Sequence, residues 1–127
     1  MRVGRLLWGI AAAALSLTIA GSRVAAAQDP AVVNANTIKV KLENPRARVL
    51  EATLPHGAKE QPHSHPAYVI YVIEGGKVRN HAADGKTAEL EFKAGDVMYR
   101  DPITTHWAEN IGTTTIHLIL VELKSSS

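Results

Sequence analysis

The sequence predicts an all-β domain, a sandwich or barrel of many short strands. Three observations lead there. Apolar and polar residues alternate with period two through most of residues 38–123. Turn signals interrupt that alternation at short, even intervals. No stretch after residue 27 shows a helical period.

The first candidate strand sets Ile38, Val40 and Leu42 against Lys39, Lys41 and Glu43. Residues 46–54, 67–73, 77–82, 87–92, 97–100, 106–111 and 114–123 follow as further strands. Asn44-Pro45, Pro55-His56-Gly57, Gly75-Gly76, Asp84-Gly85, Ala94-Gly95 and Ile111-Gly112 separate them. Proline fixes φ and glycine admits left-handed backbone, so these pairs turn the chain. The stretch 77–92 reads as a hairpin. Opposed residues share a face, so paired residue numbers must have an even sum. That favours a three-residue Asp84-Gly85-Lys86 loop, with Arg79 opposite Glu91 and His81 opposite Glu89. His81 then belongs to a surface charge ladder and is a poor metal ligand.

The chain has 127 residues and no cysteine, which limits it to one domain and excludes disulfides, thiolate nucleophiles and zinc ribbons. Its formal charge of +2 comes from Arg2, Arg5 and Arg23; the remaining 11 basic residues face 12 acidic ones. A near-neutral body without a basic stripe has no electrostatic footprint for nucleic acid. Met1–Arg5 forms a short positive head, Leu6–Ala20 an uncharged apolar run, and Ala25-Ala26-Ala27 offers the small residues that a signal peptidase reads. Residues 1–27 are therefore expected to be a signal peptide cleaved after Ala27. The product would be periplasmic or secreted, with no membrane attachment after cleavage. Residues 28–37 read as a loose N-terminal arm, 38–124 as the barrel and 125–127 as a tail. Ile116, Leu118 and Leu120 on one face of the last strand, with Ile119 and Val121 on the other, leave both faces in need of cover. That predicts a homodimer.

Six histidines remain to be placed. In His63-Ser64-His65, residues i and i+2 of a strand point to one side and can share an ion. Gly57 lies six residues before His63, Pro62 and Pro66 bracket the pair, and an apolar strand then runs to Gly75-Gly76. Gly95, His106 and Asn110 follow.

With these residues the chain resembles the cupin superfamily. Its first motif reads Gly, five residues, His-x-His, three or four residues, Glu, six residues, Gly. Gly57, His63, His65 and Gly76 stand in those places, and Gly95, His106 and Asn110 match the second motif at its overall spacing. The resemblance covers about residues 38–123. It implies a small double-stranded β-helix, or jelly-roll barrel, with His63, His65 and His106 as metal ligands at its mouth.

Two places depart from the family pattern. The motif glutamate falls at Val69, and Pro102 and Ile103 replace the usual proline and glycine arrangement. Continued alternation from His65 puts Ala67, Val69, Tyr71 and Ile73 on the histidine face, an apolar surface with no general base. Three neutral imidazoles hold a hard cation less tightly than three plus a carboxylate. They suit zinc, copper, iron or nickel without choosing among them. Around the ligands, Tyr71 is expected to line the pocket and Trp107 its mouth. His117, the one polar interruption of an apolar run, either lines the pocket or is a satisfied wall residue. Asn110 is expected to make structural or ligand-orienting hydrogen bonds. Two functions follow. One is a metal-dependent enzyme of dioxygenase or isomerase type acting on a small oxygen-bearing molecule. The other is a non-catalytic periplasmic module that binds a metal or small ligand, or a structural cupin without metal.

Overall fold

The structure, a computed structural model, describes residues 28–125. The expected signal peptide, 1–27, lies outside the described residues. Among those described, no helix is long and apolar enough to cross a membrane.

The period-two alternation becomes nine strands among the described residues: β1 (Ile38–Glu43), β2 (Ala47–Leu54), β3 (His63–His65), β4 (Tyr68–Glu74), β5 (Gly76–Ala82), β6 (Thr87–Phe92), β7 (Val97–Arg100), β8 (Ile103–Asn110) and β9 (Ile116–Leu123). They form two antiparallel sheets, ordered β1-β2-β9-β4-β7 and β3-β8-β5-β6. Leu50, Ala52 and Leu54, then Tyr68, Ile70 and Val72, then Ile116 and Leu120 point inward from the first sheet. Val78, Phe92 and Ala108 meet them from the second. Each large apolar side chain so buried contributes roughly 1.5–3 kcal/mol.

The arm is not loose. Asp29 caps the short helix α1 (Pro30–Val33) by accepting from the Ala31 N–H, and Pro30 occupies its first turn, where a missing N–H costs nothing. Asp29 also pairs with Arg48 at 2.6 Å, and Asn34 is buried against the barrel. These polar contacts leave no hydrophobic pattern, which is why the segment read as a linker.

The hairpin pairs Lys77 with Glu91, Arg79 with Glu89 and His81 with Thr87. The parity expectation holds, but the register lies two residues from the expected one. Gly85, at φ 85°, closes a loop of Ala83, Asp84 and Gly85, and Ala82 N–H donates to Lys86 O. His81 stays on the outside.

β9 is central in its sheet, so its inner residues are core. The outer face is apolar across all five strands: Leu42, Val49, Val121, Val69 and Tyr99 stand side by side in register. In the next row Ile119, Tyr71 and Val97 do the same. Tyr71 is 47% and Tyr99 60% exposed, a large apolar area for one sheet face.

Gly75 and Gly76 make the corner between β4 and β5. A Cβ on Gly75 would sit 2.0 Å from the Phe92 carbonyl oxygen, whereas one on Gly76 would meet the side chains of Thr114 and Ile116 at 2.8 and 2.9 Å. Backbone cannot rotate away as a side chain can. Gly75→Ala is therefore expected to cost about 3 kcal/mol or more in urea unfolding, and more than Gly76→Ala. Equal losses would show that the corner moves freely.

Candidate metal centre

β3 turns both His63 and His65 inward, at 1% and 5% exposure, and β8 places His106 directly opposite His63. One ligand atom from each of the three lies within 4.8 Å of the others. The expected convergence of His63, His65 and His106 is what the structure shows.

The protons behind the rings are assigned by their partners. His63 Nδ1 lies 2.8 Å from the Gln61 carbonyl, which can only accept, and 3.2 Å from the Asn34 amide nitrogen; the shorter contact assigns the proton to Nδ1, which donates to Gln61. Asn34 holds Gln61 in place, accepting from its N–H at 2.7 Å and donating to its carbonyl at 3.2 Å. His65 Nδ1 donates to Glu122 Oε2 at 2.8 Å, and Glu122 is gripped in turn by Arg48 at 2.6 Å. Both rings therefore keep an unprotonated Nε2 for the interior. A carboxylate behind a histidine fixes its tautomer and strengthens it as a ligand. His106 Nε2 is buried with no hydrogen-bond partner among the described residues. A buried polar nitrogen left this way normally costs stability, and a cation beside its lone pair is a partner that fits it.

Burial and neighbouring charge keep the His63 and His106 rings neutral. Burial, with repulsion from His65, pushes His63 down to about 4. Burial and repulsion from His63, His65 and Arg100 push His106 down to about 3. Burial raises the Glu122 carboxyl, but hydrogen bonds from His65 and Arg48 outweigh it and hold the group below the usual range, ionised. Protons thus compete little for the His63 and His106 nitrogens at neutral pH.

The rings open on a cavity of about 60 Å³, room for an ion and a ligand of a few atoms, walled by Ile70, Val78, Leu118 and Leu120. Glu60, Tyr68 and Arg100 also line it. Tyr68, Arg100 and His106 continue into a shallower depression of about 400 Å³, the route to solvent. Tyr68 stacks on the His65 ring at 4.4 Å. Burial pushes its hydroxyl up to about 12. Glu60 Oε2 accepts from the Ala108 N–H and stands 3.7 Å from His63 Nε2; burial pushes this carboxyl up to about 7.

Residues 50–122 match the family described as the cupin domain. The chain is a cupin. Its fold is shared with a cupin domain from Bordetella pertussis Tohama I (22% identity, TM-score 0.64, 69% of this chain and 92% of that one). An RmlC-like cupin from Methanocaldococcus jannaschii is similar at 15% identity and TM-score 0.57, over 68% of this chain and 78% of that one. A predicted oxalate decarboxylase from Thermotoga maritima is similar at 24% identity and TM-score 0.53, over 69% and 79%. No curated protein is significantly similar to the chain.

Around the histidines, this cupin departs from the sequence-based expectation in one systematic way. Pro66 and Ala67 bend the chain from one sheet to the other, and the alternation slips by one residue across the bend. The inward residues of β4 are therefore Tyr68, Ile70 and Val72, while Val69, Tyr71 and Ile73 face outward. Val69 does not stand beside the site, and Tyr71 does not line the pocket. Trp107 is likewise outside, stacked on His81 at 3.5 Å between ring centroids. His117 faces out and meets Glu51 at 3.2 Å, a satisfied wall residue rather than a pocket group. Asn110 is structural: its amide donates to Leu54 O and Thr114 O, and its Oδ1 accepts from the Gly112 N–H. The inward face of the motif strand carries no carboxylate, and the two acidic groups near the rings, Glu60 and Glu122, come from the approach to β3 and from β9.

The buried groups predict a stability optimum for the metal-free protein. His63 and His106 are depressed from 6.5, so their contribution is present above that value. It is lost as pH falls toward their folded values, because the unfolded chain takes up protons first. Glu60, raised from 4.5, acts with the opposite sign and weakens the fold as pH rises toward about 7. Stability in a chelator should therefore peak near about pH 6.5. Thermal melts from acid to neutral pH should show a shallower acid limb in His106→Leu. An unchanged limb would mean that His106 is not held neutral in the fold.

Proposed function

We propose that this cupin holds one divalent transition metal ion, of the zinc, copper, iron or nickel group, through His63, His65 and His106. We propose that it binds, or acts on, a small oxygen-bearing molecule there. The observation that carries the reading is His106 Nε2, buried and unpartnered beside two rings whose other nitrogens are already committed as donors. A bound ion would supply Lewis-acid polarisation of a ligand oxygen, or redox chemistry with dioxygen. The chain's own residues do the rest. Glu122 and Gln61 orient two rings, and the aliphatic wall excludes water.

Arg100 supports a narrower substrate class. It lines both the cavity and the depression, and it forms no ion pair among the described residues. A guanidinium beside an ion site suits a carboxylate or a similar oxyanion. Dioxygenase- or isomerase-like chemistry on such a molecule is the enzymatic form of this reading; retention of the ligand without turnover is the other.

Metal analysis should find about one ion per chain in the wild type, and none in His106→Ala at unchanged β-sheet circular dichroism. Acetate binding to the loaded protein should weaken about tenfold in Arg100→Gln. Wild type and His106→Ala carrying the same trace metal would overturn the metal site. Oxygen uptake or turnover by the loaded wild type separates the enzyme from the binding module.

We further propose export and self-association. The Leu6–Ala20 run and the Ala25-Ala26-Ala27 site support export to the periplasm or beyond, and the apolar outer face of the five-stranded sheet supports a homodimer. The exported product should begin at Gln28 by mass spectrometry and sediment as a dimer at micromolar concentration. Tyr71→Glu should shift it to a monomer. An intact N-terminus would refute export by cleavage, and a monomeric wild type would refute the dimer.

A further inference from the structure

The cupin motif glutamate is missing from β4, and its inward position there is filled by Ile70, which cannot bind an ion. With three neutral imidazoles alone, a divalent ion would bring two uncompensated charges into a buried space that already faces Arg100. Charge in such a place is tolerated only when it is paired. Glu122 cannot pair with the ion: one of its oxygens is on His65 and the other on Arg48.

Glu60 is the one carboxylate lining the cavity among the described residues. Its side chain is 11% exposed, and no lysine or arginine pairs with it there. Its single hydrogen bond is the one from the Ala108 N–H to Oε2; Oε1 accepts none among the described residues. Oε2 stands 3.7 Å from His63 Nε2, the nitrogen left unprotonated for a ligand. Two donors on one first-row ion, each about 2.0–2.2 Å from it, lie roughly 3–3.6 Å from one another. The separation of Oε2 from His63 Nε2 is thus close to that of neighbours on a shared ion. A hydrogen bond to His63 is not the explanation of the contact, because 3.7 Å is beyond hydrogen-bond range.

We infer that Glu60 is the acidic ligand of this metal centre, supplied from the segment before the His-x-His pair instead of from the strand after it. The Ala108 N–H takes one lone pair of Oε2 and leaves that atom's other lone pair for the ion. The inference rests on the proposed three-histidine site and completes it as three nitrogens and one oxygen. Such a set admits harder ions than imidazoles alone, so manganese and iron become competitive with zinc.

The test is titration calorimetry of chelator-treated protein with Zn²⁺ and with Mn²⁺, joined to the electron paramagnetic resonance spectrum of the Mn²⁺ form. Glu60→Gln is isosteric and keeps an oxygen for the Ala108 N–H, so the fold should survive. It should lose at least about tenfold in Mn²⁺ affinity, more than in Zn²⁺ affinity, and should change the Mn²⁺ spectrum. Glu60→Asp, which keeps the charge on a shorter stem, should recover part of the Mn²⁺ affinity. Wild-type affinity and an unchanged spectrum in Glu60→Gln would overturn the assignment while leaving the histidine site standing. Absence of binding in the wild type would overturn the site itself.

Discussion

The structure around the three histidines depends on one partly buried chain of charge, Asp29–Arg48–Glu122–His65. Its links are 2.6, 2.6 and 2.8 Å long. It ties four parts of the sequence together: the arm, β2, β9 and β3. Each link makes the next affordable. Glu122 could not stay ionised at 2% exposure without Arg48, and Arg48 would be an unpaired interior cation without the two carboxylates. The product of this arrangement is a single oriented imidazole. The inner face of the five-stranded sheet carries the same logic further, because Arg48, Glu122, Tyr68 and Arg100 lie side by side across β2, β9, β4 and β7. One row inward, Leu50, Leu120, Ile70 and Met98 are apolar. The barrel thus has a polar rim over the histidines and a dry interior beyond it.

The sheets and the His63-Ser64-His65 pair were legible in the sequence because each is local, whereas His106, 41 residues on, was joined to the pair only by the resemblance to the cupin motifs. Alternation with period two and turn pairs are read within short windows, and seven of the nine strands lie near their expected bounds. The polar rim was not legible. Its residues sit on four strands, each an isolated polar position whose meaning appears only when the register aligns them.

The misplacement of Val69 and Tyr71 has a different cause. Parity is reliable within a strand and fails where the chain changes sheets, and Pro66-Ala67 is such a place. The proline was visible and marks a bend, but a bend does not state how many residues it absorbs. Glu60 was missed for a related reason. It lies outside any regular strand, tied by an isolated bridge between Lys59 and Glu109, so alternation says nothing about its direction. Only its position three residues before His63 hinted at the site. An outward His117 and Trp107 follow from the same register that turns Leu118, Ala108 and His106 inward.

The arm shows how closely the site depends on residues that carry no hydrophobic pattern. β3 is an edge strand, three residues long, and one of its ladder groups would otherwise be open. The Gln28 carbonyl accepts from the Ser64 N–H at 2.9 Å, between the two histidines, while Asn34 buttresses His63 through Gln61 and Asp29 buttresses His65 through Arg48 and Glu122. A bare edge strand of this length has too few hydrogen bonds of its own to hold two rings within the tolerance that coordination requires. The orientation of the histidine cluster is therefore supported from outside the barrel. Residues 28–34 buttress the cluster as the motif strand does, although none of them lines the cavity.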